Sequence, residues 1–133
     1  MTFDPTDQGI DAEAAHERTA DAIADNEVVL FMKGNARMPQ CGYSKRAIGL
    51  ISRYRDDVAT VDALKNLDAY REALEAESGW ETIPQTFVDG EFVGGSDVLA
   101  ELEERGELAE TLNADGEAVA SDDADGVGPE APF

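Results

Sequence analysis

Cysteine occurs once in this 133-residue chain, at position 41, so no internal disulfide is possible. A site that needs several thiolates must borrow sulfur from elsewhere, and an oxidising compartment would find nothing to staple. Positive charge is nearly as scarce. Ten Lys and Arg, with lysine only at 33, 45 and 65, face thirty Asp and Glu and leave a formal charge of −20. Nucleic acid and anionic membrane are both bound through Lys and Arg, so neither is expected as a partner. No apolar run approaches a membrane span, and the first residues are acidic where a secretory signal is basic and then apolar. A soluble, cytoplasmic protein is expected. The one histidine, His16, falls on a polar stretch and is read as a solvated side chain with no ligand role.

What is present suits one domain with a single core. Fourteen acids and Arg18 alone lie outside residues 28–112, so the flanks carry −13 of the −20. Residues 1–9 are expected to be flexible, 10–112 to form the domain, and 113–133, with six acids and no base, to be a disordered acidic tail. So acidic a surface resembles that of proteins from salt-loving (halophilic) organisms, where concentrated cations screen self-repulsion.

Val28 to Met32 is a continuous apolar run rich in β-branched and aromatic residues, the form of a strand buried on both faces. A charged, glycine-bearing loop leads to Cys41, and Ala47, Leu50, Ile51 and Tyr54 then recur at helical spacing. Cys41 thus stands at a helix start, where unpaired backbone N–H groups and the dipole favour an anion. Lys33 adds a second positive influence, so the thiol is read as a thiolate nucleophile or metal ligand. Around this unit, Asp11 to Ala24 reads as an amphipathic helix, Val58 to Val61 as a strand parallel to the first, and Leu64 to Glu77 as a helix ended by Ser78-Gly79. Thr86-Phe87-Val88 and Glu91-Phe92-Val93 flank Asp89-Gly90, a strong hairpin signal. Gly94-Gly95 breaks the last strand, and Ser96 or Asp97 is expected to cap a closing helix that runs to Gly106.

Pro84 precedes a strand and is expected in a constrained turn, with a cis peptide to Ile83. There the N–H and C=O of Ile83 are free to pair with an extended thiol peptide. Gly94-Gly95-Ser96-Asp97 offers helix N–H groups for a carboxylate and the Asp97 carboxylate for an ammonium. These features describe a site for a small zwitterionic peptide beside Cys41.

The conjunction of the Val28 to Gly34 strand with Lys33, the run Cys41-Gly42-Tyr43-Ser44, Arg71, Trp80 to Gln85, and Gly94-Gly95-Ser96-Asp97 resembles the monothiol glutaredoxins over roughly residues 10–112. Tyr43 stands where that family has Phe, and Glu81 where it usually has Pro. The resemblance implies an α/β thioredoxin fold: a four-stranded mixed sheet in the order 2-1-3-4, with helices on both faces. It also implies roles. Cys41 would be the nucleophile or cluster ligand, Lys33 and Arg71 would face the glycine carboxylate of glutathione, and Ile83 would pair with its cysteinyl part. Ser96 and Asp97 would hold the γ-glutamyl end. From its place just after the helix-start thiol, Tyr43 is expected to be exposed and to shield it.

Ser44 cannot resolve a mixed disulfide as a second cysteine would, so an outside thiol is needed for turnover. A [2Fe-2S] cluster offers another use, since one thiolate from each of two chains and one from each of two small thiols make the four it takes. The leading expectation is a cluster carrier, homodimeric when loaded and monomeric when empty, that uses glutathione or another γ-glutamyl thiol and passes the cluster to iron-sulfur acceptor proteins. The second is a thiol-disulfide oxidoreductase that removes small thiols from mixed disulfides. A thiol-binding adaptor without turnover is the third.

Overall fold

The computed structural model describes residues 10–114; the expected flexible residues 1–9 and the acidic tail beyond 114 lie outside the described residues. Strand β1, Val28–Met32, is buried along its whole length. Its alternation splits it between two cores: Val28, Leu30 and Met32 meet Ala47, Ile51, Leu99, Leu108 and Leu112, while Val29 and Phe31 meet Ala15, Ile23, Tyr70, Leu74 and Phe87. A strand apolar at every position is what a sheet covered on both faces demands. Phe31 lies edge-on to Phe87 at 5.8 Å, and burying either ring stabilises the fold by about 2–3 kcal/mol.

The other elements hang on β1. Helix α1 (Ala12–Asp25) precedes it, capped by the Asp11 carboxylate on the Ala14 N–H. Helix α2 (Gly42–Ser52) follows and leads to β2 (Ala59–Asp62), parallel to β1 from Val29 opposite Ala59. Helix α3 is Leu67–Ser78. Strand β3 (Gln85–Val88) runs antiparallel to β1 on its other side, and β4 (Glu91–Gly94) pairs antiparallel with β3. The order β2-β1-β3-β4 is the one expected. Asp89 and Gly90 turn the hairpin with φ of 53° and 81°, the doubly positive pair that a two-residue connection of twisted strands requires. Helices α4 (Ser96–Glu104) and α5 (Leu108–Thr111) close the fold.

Three expectations are corrected. The helix expected from Leu64 begins only at Leu67, because Asp62 accepts from the Leu64 N–H and Asn66 from the Ala69 N–H, so two caps make a 3₁₀ turn (Ala63–Lys65) and a separate helix. The closing helix is capped by neither Ser96 nor Asp97. Gly95 holds the cap position, Ser96 is already helical, and the helix stops at Glu104. Asn113, expected to open the tail, is part of the fold: its amide donates to Glu27 at 3.1 Å and Asp89 at 2.8 Å, beside the fully buried Leu108 and Leu112. Among the described residues no helix is long and apolar enough to cross a membrane.

Candidate functional site

At the carboxyl end of β1 the chain folds back before entering α2. Asn35 accepts through its side chain from the N–H groups of Arg37 (3.0 Å) and Met38 (2.9 Å), and the Gln40 N–H returns to the Lys33 carbonyl at 2.8 Å. Gly34 permits this closure. Its φ is 91°, and a β-carbon there would lie 2.6 Å from the Met38 carbonyl oxygen. The loop delivers Cys41 to the N-cap position of α2, in extended backbone.

Buried Ser44 ties this helix start to the strand, since its Oγ accepts from the Lys33 N–H at 2.9 Å. The Cys41 side chain is half-buried. Burial pushes its pKa up, but the backbone N–H groups of Ser44 and Tyr43, the Ser44 hydroxyl and the charge of Lys33 outweigh that and hold the thiol below its ordinary value. A helix start, one hydroxyl and one ammonium thus favour the thiolate.

Cys41 opens on a groove of about 660 Å³. All seven residues singled out from the sequence line it: Lys33, Cys41, Tyr43, Arg71, Ile83, Ser96 and Asp97. Lys33 and Arg71 stand on β1's end and on α3, Ser96 and Asp97 on the start of α4 across the sheet, and Tyr43, 62 % exposed, beside the thiol. The Ile83-Pro84 peptide is cis. β3 pairs with β1 only from Gln85 onward, so the Ile83 backbone lies ahead of the ladder on the groove wall.

Some of the site was not foreseen. Trp80 is 60 % exposed and lines the groove. The ring is left outside because Gln85, itself buried, holds the strand's approach in an open loop. Its Nε2 donates to the carbonyls of Trp80 (2.6 Å) and Thr82 (2.9 Å), while Ser78 Oγ donates to its Oε1 (2.9 Å). A polar residue directly after Ile-Pro was the available signal. Arg46 was missed as well. Its guanidinium lies 3.8 Å from Asp97 Oδ1, and an exposed arginine one turn beyond Tyr43 carries no pattern that marks it.

Chemically, the arrangement provides one reactive sulfur, a cationic flank, a free backbone edge and a helix start bearing a carboxylate. Among the described residues no three His, Cys, Asp or Glu side chains cluster as a metal site would need, so this chain brings a single thiolate to any shared metal centre.

The sequence model of the glutaredoxin family matches residues 28–93. The uncharacterized monothiol glutaredoxin ycf64 of Porphyra purpurea is 46 % identical over 95 residues, which cover 69 % of this chain and 88 % of that one. Among solved structures, that of reduced poplar apo GrxS14 superposes with a TM-score of 0.65 at 35 % identity, over 78 % of this chain and 95 % of that one. A buckwheat glutaredoxin-glutathione complex superposes with a TM-score of 0.63 at 26 % identity, over 82 % and 96 %. A lone thiol at a helix start, serine where a second cysteine would resolve a disulfide, and likeness of this extent lead to one assignment: the chain belongs to the monothiol glutaredoxins.

Proposed function

We propose that this protein carries a [2Fe-2S] cluster, bound between two copies of the chain by Cys41 of each and by one glutathione-like thiol per copy, and releases it to acceptor proteins. The observation that carries this reading is a single half-buried, thiolate-favouring Cys41 at the rim of a groove that Lys33, Arg71 and Asp97 also line. The donor set fits. A [2Fe-2S] cluster takes four thiolates and supplies one-electron and transfer chemistry when bound, and one protein sulfur per copy leaves two positions for exchangeable outside thiols.

This chain's own residues orient the small thiol. Lys33 and Arg71 face its glycine carboxylate, the N–H and C=O of Ile83 pair with its cysteinyl backbone, and the start of α4 with Ser96 and Asp97 takes the γ-glutamyl head. The thiol sulfur is thereby set beside Cys41, shielded by Tyr43. The buckwheat relative in complex with glutathione supports the choice of ligand class. The acid-rich composition supports work in concentrated salt, and the single free thiol supports a reducing compartment such as the cytoplasm.

A second reading is favoured by the access of Cys41 to the groove. In it the thiolate attacks the glutathione-side sulfur of a mixed disulfide, a new S–S bond forms to Cys41, and the target leaves as a thiolate that takes up a proton. A second glutathione thiolate then attacks the adduct, freeing Cys41 and leaving glutathione disulfide. Anaerobic reconstitution of the full chain with iron, sulfide and glutathione tests the first reading. A coloured species eluting as a dimer, absent without glutathione and absent in Cys41→Ser, is expected. A colourless monomer that turns over glutathionylated substrate would assign the second.

A further inference from the structure

The Arg46-Asp97 pair does little as a structural contact. The two side chains are 53 % and 90 % exposed, so solvent screens their attraction and the pair adds almost nothing to stability. At 3.8 Å it is also too long for a hydrogen bond, which leaves the guanidinium donors and the carboxylate oxygens available. Both groups lie at the start of α4. Gly95 caps that helix without a side chain, so the first backbone N–H groups of the helix lack a side-chain acceptor. A guanidinium, a carboxylate and uncapped N–H groups together mirror an α-amino-acid head group, whose ammonium and carboxylate share one carbon. The cations that themselves line the groove, Lys33 and Arg71, belong to β1's end and to α3, which packs on the face of the sheet opposite α4, while Arg46 borders the groove through Asp97.

We infer that Arg46 is a specificity-determining residue, which receives the α-carboxylate of a zwitterionic γ-glutamyl head while Asp97 receives its ammonium. This rests on the reading of the groove as a glutathione-type site and adds to it a contact from α2. Without Arg46 the head-group carboxylate would meet only backbone N–H groups next to the Asp97 carboxylate, a like charge that opposes it. With Arg46 the two charges of the ligand and the two of the protein alternate in sign. A thiol lacking the α-amino-acid head should draw no benefit from the pair, whatever its other end carries.

Equilibrium binding of S-methylglutathione to the full chain tests this, because its thioether cannot react with Cys41. A second probe is the same peptide with the γ-glutamyl α-carboxylate converted to the amide. Wild type is expected to bind the acid about tenfold more tightly than the amide, and Arg46→Ala to bind both as weakly as wild type binds the amide. Arg46→Lys should recover part of the preference, since charge remains and the fork is lost. Equal binding of the acid by wild type and Arg46→Ala, with wild type still binding it, would overturn the role of Arg46 and leave the glutathione reading standing. Equal binding of acid and amide by wild type would do the same without reliance on any variant. Failure of wild type to bind S-methylglutathione at all would remove the glutathione reading, and the role of Arg46 with it.

Discussion

The two ends of α2 use the same residue type in opposite ways. Residues 28–55 hold six of the ten basic residues and no acid, while the rest of the chain sets thirty acids against four bases. At the carboxyl end of the helix the cations are engaged in structure. Arg53 meets Glu103 at 2.8 Å, and Arg55, with only 12 % of its side chain exposed, reaches Glu27 (2.9 Å), Asp57 (2.7 Å) and the Leu112 carbonyl (2.9 Å). At the amino end the cations lie at or beside the groove that Cys41 opens on. Lys33 acts on the Cys41 thiol, and Arg46 touches a carboxylate only at 3.8 Å. The net charge of −20 therefore says nothing about the site, which sits in the part of the sequence from which acids are excluded. One end of the helix stabilises the fold and the other carries the proposed chemistry, so substitutions at the two ends should separate stability from reactivity.

The widest separation is expected from Cys41→Ser. It should abolish thiol reactivity and cluster colour outright without lowering the thermal midpoint, because serine is itself a favoured residue at the N-cap position Cys41 holds; calorimetry alongside thiol labelling checks both halves. Arg55→Ala should do the reverse. It strands the Leu112 carbonyl and loosens α5 with Asn113, at a cost of about 2–3 kcal/mol by denaturant unfolding, with the labelling rate of Cys41 unchanged.

A smaller effect is expected from Lys33→Ala, which removes one of the influences that lower the thiol pKa. The pH profile of alkylation by iodoacetamide should move to higher pH, and the rate at pH 7 should fall about threefold as the thiolate fraction drops. The smallest concerns acid stability. Hydrogen bonds from Arg55, and for Glu27 also from Asn113, hold the carboxyls of Glu27 and Asp57 below their ordinary values. Their contribution is thus present above the unfolded carboxylate pKa, about 4, and is lost as pH falls through the lowered folded values. Arg55→Ala should lower the neutral plateau and flatten that part of the stability curve, since the carboxyls then titrate nearer their unfolded values.

The sequence made β1, the hairpin and the helix start at Cys41 legible because each is a local rule: an apolar run, an Asp-Gly pair, a helical period after a loop. The groove residues were legible only in conjunction, since Lys33, Arg71 or Ser96 alone is indistinguishable from ordinary surface. What stayed hidden depends on side chains that meet across the fold. Asn66 splits the third helix by capping it, Gln85 holds the Trp80 loop open from beneath, and Arg46 reaches Asp97 from another helix. None of these has a spacing that periodicity detects. Asn113 is likewise fixed by carboxylates 86 and 24 residues away, which no reading of the acidic tail could supply.

Native mass spectrometry of the anaerobically reconstituted full chain tests the central claim, that Cys41 and a docked small thiol act together, most directly. The account predicts one species of two chains, one [2Fe-2S] cluster and two thiol molecules, which collapses to bare monomer in Cys41→Ser. A cluster held without any small thiol, or a cluster that survives the loss of Cys41, would contradict it.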